Sequence, residues 1–271
     1  MSTPDPLPSY EPILDAFHRA FAPELRAMVG SLPIAEGDSV LEMACGDGAY
    51  TPWLADRVGP RGSVVAVDVS PAYLAVAKGG EPVAPGAGRV IRVAASIEHL
   101  PLPRGSFDLV WCAQSLYSLP DQGEAVRTMA ELVRPGGAVA VLENDTIHQV
   151  ILPWPPDVEL AVRAAELVAF RGERKPAERF YVGRWLPRLF RACGLGEIAA
   201  RSFASTRLAP LGDAERAFLN GYLADISGRI ADRLPAEVRD RFAALAGGGI
   251  VDDPDLMLTV VDHIVIGRRP A

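Results

Sequence analysis

The chain has 271 residues, 49% hydrophobic and 23% charged, enough for one large α/β domain or a domain with a substantial cap. A formal net charge of −7 argues against nucleic acid or an anionic membrane as the main partner, because both select an excess of Lys and Arg. No apolar run reaches the roughly 18–20 residues that span a bilayer. The three cysteines form no CxxC pair and the four histidines no HxH or HxxxH spacing, so neither a disulfide framework nor a metal site is expected.

Residues 1–10 are proline-rich and lack a basic stretch followed by an apolar one, which predicts no secretory leader and a cytoplasmic protein. From 11 to 30, Ile13, Leu14, Phe17, Phe21, Leu25 and Met28 recur at spacings of three and four, an amphipathic helix interrupted at Pro23. Val40–Met43 reads as a strand, Ala44–Gly48 as a glycine turn, and the following residues to Val58 as a helix. Gly59–Gly62 breaks that helix before strand Val64–Asp68. Ser70-Pro71 then suits an N-cap with proline at the first helical position, opening a helix to Lys78. A Gly/Pro segment, 79–88, leads to strand Val90–Ala94. Strand Phe107–Ala113, helix Asp121–Val133, a sharp turn Arg134–Gly137 and strand Ala138–Glu143 follow. Strands alternating with helices imply a parallel sheet covered on both faces.

After Asp145 the rhythm becomes helical. Pro153–Pro156 opens a helix over Asp157–Phe170, an Arg-rich loop follows, and a second helix runs Val182–Cys193 with Gly194 as its C-cap. Ala200–Leu208 reads as a strand, Asp213–Ala246 as long helix, and Met257–Ile266 as a final strand.

The sharpest local signal is the strand–turn–helix at Val40–Gly48. Glycines let the backbone pass close to a ligand, and the helix N-terminus aims N–H groups at it. Asp68 stands about 20 residues beyond, at the end of the next strand, where an acid meets ribose hydroxyls in dinucleotide-type sites; a charge at a helix N-terminus is the plainer reading. A pyrophosphate loop wants GxGxxG without acids at its entrance. Here Thr51 takes the third glycine position, and Glu42 and Asp47 bring two carboxylates, which suits a cationic, phosphate-free ligand better than a nicotinamide dinucleotide.

With those residues in place, the chain resembles the class I, Rossmann-like S-adenosylmethionine-dependent methyltransferases of the small-molecule type. Glu42–Gly48 is similar to their first motif and Val67-Asp68-Val69-Ser70 to the ribose-binding acid. Leu100–Val110 resembles the run into the fourth strand, and Leu132–Gly137 the turn before the fifth. The resemblance implies a doubly wound, mostly parallel sheet of about seven strands, the last antiparallel, with helices on both faces and helical insertions capping the acceptor side. It implies S-adenosylmethionine as cofactor and S-adenosylhomocysteine as product. Glu42, Ala44, Gly46 and Gly48 would border the amino-acid part, Asp68 the ribose, Val69, Ser96 and Ile97 the adenine, and Gln114 the methionine moiety. The family often carries an acid where Ser96 stands and a His-His pair where Tyr117-Ser118 stand.

A single domain over 1–271 is expected, with a helical lid at 1–35, a cofactor core at 36–145, cap insertions at 146–195 and 209–250, and the final strand at 257–268. Ligands of open α/β sheets bind at the carboxyl ends of strands, so acceptor-side residues should follow the fourth and fifth strands. His148 is the expected base because its ordinary pKa lies near neutrality; an ordinary loop histidine is the even alternative. Tyr117 and Asp145 are the other catalytic candidates. The Arg-rich run 171–184, with Phe180, Tyr181 and Trp185, reads either as a pocket for an anionic or aromatic acceptor or, more commonly, as a solvated face. The expected function is methyl transfer to O, N or C of a small metabolite by a monomer or homodimer, without nucleic acid or membrane. Ala-, Gly-, Pro- and Arg-rich composition associates it with bacterial secondary metabolism. A same-fold enzyme with other chemistry, such as a cyclisation, and a non-catalytic binding protein are the alternatives.

Overall fold

The computed structural model describes residue 7 and residues 10–76, 86–145, 147–172 and 181–271. Eight strands form one sheet: β1 Ser39–Met43, β2 Ser63–Asp68, β3 Arg89–Ala94, β4 Phe107–Ala113, β5 Val133–Glu143, β6 Val150–Ile151, β7 Gly196–Leu208 and β8 Met257–Arg268. Their order is β3-β2-β1-β4-β5-β8, with β6 and β7 also paired to β8. The pairs from β3 to β5 are parallel. β8 runs antiparallel to β5, β6 and β7. The doubly wound sheet with a reversed last strand is as expected; the eighth strand is the two-residue β6, too short to leave a periodic signal.

Strand alternation builds two cores. Val40, Leu109, Trp111, Ala140 and Leu142 face one layer. Their neighbours Leu41, Val110, Cys112, Val139 and Val141 face the other. Because both faces are covered, these strands are apolar throughout rather than alternating. The first layer is made by α1 Glu11–Ala20, α2 Ala22–Gly30, α3 Thr51–Val58, α6 Pro156–Gly172, α8 Asp213–Ile230 and α9 Ala236–Ala244. The second holds α5 Gln122–Leu132 and α7 Val182–Ala192. The remaining helix, α4 Pro71–Val76, follows β2.

Local chemistry explains the boundaries. Pro23 lies in the first turn of α2, where its missing N–H costs nothing, so the expected break becomes the α1/α2 junction. The Ser70 hydroxyl accepts from the Tyr73 N–H at 3.3 Å and starts α4 as read. The expected part of that helix beyond Val76, and the segment to 85, lie outside the described residues. Asp121 caps α5 by accepting from the Glu124 N–H at 2.9 Å.

Two elements differ from expectation. The β4–β5 ladder already starts at Phe107–Val133 and jumps to Leu109–Ala138, so Arg134–Gly137 is a bulge inside β5 rather than a turn before it. A Cβ on Gly137 would stand 2.8 Å from the Asp108 carbonyl oxygen, which is why glycine is needed at that crossing. The long helix 213–246 divides after Ile230 because Pro235, which cannot donate, sits at the N-cap of α9.

The α1 helix packs on α8 through Phe17 and Phe21, whose rings lie 5.4 and 5.8 Å from that of Phe218. That contact carries α1 across the carboxyl ends of the strands. No helix among the described residues is long and apolar enough to cross a membrane.

Candidate active site

The turn after β1 is held in a shape that side chains resist. Ala44, Gly46 and Gly48 have φ of 52°, 53° and 72°, so three residues within five are left-handed. The shape is fixed from below by Asp68, whose Oδ2 accepts the Gly46 N–H at 2.9 Å while Oδ1 accepts the Ser70 N–H at 2.8 Å. A carboxylate offers about four acceptor positions, so Asp68 keeps capacity for hydroxyls. Thr51, standing where a dinucleotide loop would carry its third glycine, donates its hydroxyl to Glu42 Oε2 at 2.5 Å. The residue type that broke the pyrophosphate pattern is therefore a tie between β1 and the start of α3.

Glu42 itself corrects one electrostatic expectation. Burial pushes its carboxyl up to about 8, against the Thr51 bond. At neutral pH it is mostly protonated, so it does not by itself place a negative charge at the loop.

Beside this turn is a cavity of about 40 Å³, lined by Glu42, Ala44, Gly46, Asp47 and, from α1, Leu14 and His18. Its far wall is Gln114, at φ 49° just past β4. The Gln114 amide is held from both ends. Tyr50 donates its hydroxyl to Oε1 at 3.0 Å, and Nε2 donates to Asp262 Oδ1 at 3.3 Å. Burial raises the Asp262 carboxyl to about 6 against the Gln114 bond. Val69 is 71% exposed, an apolar face next to the acid expected to meet ribose. The Ser96 hydroxyl accepts from the Glu98 N–H at 3.3 Å, starting a short turn that contains Ile97.

A second, larger cavity of about 450 Å³ opens between α1, α6 and α8, and Leu14 and Gln114 line both. Ile13, Phe17, Phe170 and Phe218 make its wall largely apolar, while Glu166, Tyr222, Asp225 and Arg229 supply polar groups.

Of the expected catalytic residues, Tyr117 lines this cavity. Burial, ahead of the nearby Glu143, pushes its phenol up to about 12. Glu143 is buried beneath it, accepting the Leu116 N–H at 2.6 Å and the Tyr117 N–H at 3.3 Å; burial raises that carboxyl to about 8 despite those bonds. His148 and Asp145 line neither cavity. Asp145 is ion-paired with Arg184, and the His148 ring lies 5.9 Å from that of Tyr181. Burial lowers the His148 pKa, with Arg163 and Arg184 adding to the effect. Arg184 also stacks 4.7 Å over Tyr181. This end of the Arg-rich run is thus occupied with its own neighbours, Trp185 is 45% exposed, and residues 173–180 lie outside the described residues.

Several polar residues at or next to the two cavities were not anticipated. Asp262 follows Leu258 and Val260 at period two in an apolar strand, which signals a buried acid. Glu166 is spaced with Val158 and Val162 on the buried face of α6, the same kind of signal in a helix. Tyr50 and His18 carried no comparable mark.

Residues 41–141 match a family model described as a methyltransferase domain. The chain is 32% identical over 140 residues to Methyltransferase GfsG of Streptomyces halstedii, covering 52% of this chain and 48% of that one. It is 39% identical over 111 residues to the ubiquinone/menaquinone biosynthesis C-methyltransferase UbiE of Hahella chejuensis, covering 41% of this chain and 44% of that one. The chain thus spans about half the length of the curated relatives it matches. Among solved structures, that of the [4+2]-cyclase SpnF shares the fold, with a TM-score of 0.52 and 20% identity over 92% of this chain and 82% of that one.

Proposed function

We propose that the chain transfers a methyl group from S-adenosylmethionine to a small, largely apolar molecule seated in the 450 Å³ cavity, a reading supported by the match of residues 41–141 to a methyltransferase domain model. The observation that carries this reading is the sharing of Leu14 and Gln114 by the two cavities, which supports a donor space and an acceptor space meeting at one wall.

The residues fit the cofactor. An ideal Cβ on Gly46 meets no atom within 4 Å, so the left-handed turn faces open space rather than protein. The loop and Asp68 hold the amino-acid and ribose parts, Val69 and Ile97 the adenine, and Gln114 the methionine end. When bound, the cofactor supplies a methyl group on a positively charged sulfur. The chain's own work is to exclude water and hold the acceptor in line with that methyl. Tyr117 orients the acceptor as a hydrogen-bond donor, since a phenol held near 12 does not act as a base at neutral pH. Similarity to a relative named as a C-methyltransferase supports carbon as the accepting atom. His148 faces neither cavity and is assigned no proton transfer. The cyclase likeness is one of fold and adds no observation for a cyclisation here. A role in secondary metabolism remains part of the same proposal, associated with the Ala-, Gly-, Pro- and Arg-rich composition.

Incubation with S-adenosylmethionine labelled in the methyl group and a panel of apolar acceptors tests the reading. Label in product that depends on Asp68 supports it; tight cofactor binding with no transfer to any acceptor contradicts it.

A further inference from the structure

The wall of the large cavity is not uniformly apolar. Glu166 on α6 and Tyr222 on α8 both line it, and Arg163 is ion-paired with Glu166. Arg163 Nη1 donates to Glu166 Oε2 at 3.1 Å and Nη2 to the Val150 carbonyl at 3.0 Å. Tyr222, on the wall of the same cavity, carries a phenol O–H that can donate. Glu166 commits one oxygen to Arg163 and keeps the other. The cavity is thus offered a donor from Tyr222 and an acceptor from Glu166, and a hydroxyl both donates and accepts through a single atom.

Charge narrows the class. Glu166 is matched by Arg163, and Asp225, also on the cavity wall, is matched by Arg229 at 2.9 Å. Arg163 also meets the part-exposed Glu159 at 3.6 Å, outside the cavity lining; on the wall itself each carboxyl has a guanidinium beside it, so neither is left as an unmatched charge for an ionic ligand, and an unmatched buried charge is costly. Burial pushes the Glu166 carboxyl up to about 7 against the pull of Arg163, yet in either protonation state it retains an accepting oxygen.

We propose that Glu166, held by Arg163, and Tyr222 bind a hydroxyl of the acceptor, so that the substrate class is an uncharged, mainly apolar molecule carrying at least one alcohol, phenol or enol. This rests on the methyltransferase reading given above. The bond anchors the molecule from the α6–α8 side, while its reacting atom faces the wall formed by Leu14 and Gln114.

The test is calorimetry on the full chain saturated with S-adenosylhomocysteine, using naphthol, naphthalene, naphthoate and naphthylmethylamine as probes. Naphthol is expected to bind at least about tenfold more tightly than the other three, because the site's buried polar groups go unpaired without the hydroxyl. Tyr222→Phe keeps the ring and is expected to cut that preference to about threefold or less, leaving naphthalene binding unchanged. Glu166→Leu should do the same, whereas Glu166→Gln, which keeps an accepting oxygen, should preserve it. Equal affinities for naphthol and naphthalene, tighter binding of the acid or the amine, failure of every probe to bind, or an unaltered preference in Tyr222→Phe would each overturn the proposal. Saturation by S-adenosylhomocysteine is measured first. Its absence would sink the underlying reading, while its presence with no hydroxyl preference sinks this inference alone.

Discussion

Glu42 is the buried acid at the base of the cofactor loop, and replacing it by Gln has a worked consequence. A carboxyl ordinarily titrates near 4.3, whereas burial holds this one at about 8. The folded state therefore keeps a proton that the unfolded chain has released between those values. Stability must fall as pH rises through that window, since the unfolded state binds fewer protons there. At about 1.36 kcal/mol for each tenfold change, ionising or retaining this group costs roughly 3 kcal/mol at pH 7. Gln keeps an oxygen for the Thr51 hydroxyl but carries no titrating proton. Denaturant melts of wild type and Glu42→Gln, run from pH 5 to pH 8, should show the variant gaining on wild type by roughly 3 kcal/mol across the series. Using the difference between the two proteins removes the common contributions of Glu143, Glu166 and Asp262. A difference that stays flat with pH would refute the reasoning, and with it the correction to the loop's electrostatics.

Asp68→Ala removes the acceptor that fixes the Gly46 N–H and, in the proposed complex, the ribose; calorimetry should show S-adenosylmethionine binding weakened by about 10- to 100-fold. Gly46→Ala should cost about 1–2 kcal/mol of stability, the strain of a side chain in a left-handed turn, because its Cβ meets no protein atom within 4 Å. Its effect on cofactor affinity should be larger than that strain, since the Cβ projects into the space the ligand uses; a thermal shift assay paired with calorimetry separates the two. His148→Ala should leave turnover within a few-fold of wild type, while Tyr117→Phe, on the cavity wall, should lower it by about tenfold; the reverse ranking in a labelled-methyl assay would return His148 to the role of base.

The cofactor half was legible because its constraints are local. Gly46, Gly48 and Asp68 are demanded by backbone shape and by one strand-end position, and they stand within thirty residues of one another. The bulge at Arg134–Gly137 was read as a turn because glycines mark a departure from regular backbone without saying whether the ladder resumes in the same strand. The acceptor side was less legible for a different reason. Its wall is assembled from α1, α6 and α8, far apart in the chain, and no short motif joins Leu14, Glu166 and Tyr222. His148 was favoured by its chemistry and its place after β5, yet the side chain's direction depends on packing with Tyr181 and Arg184, which sequence order does not encode. Glu166 and Asp262 did leave a trace, each an acid falling on the apolar period of its own element, and both proved to be buried polar groups beside the two cavities.

The claim on which the rest depends is that the turn after β1 binds S-adenosylmethionine rather than a nicotinamide dinucleotide. Titrating the purified full chain with each cofactor by calorimetry tests it most directly. The account predicts saturable one-to-one binding of S-adenosylmethionine, weakened in Asp68→Ala, and no measurable heat from NAD or NADP. Binding of a nicotinamide dinucleotide with no response to S-adenosylmethionine would contradict it.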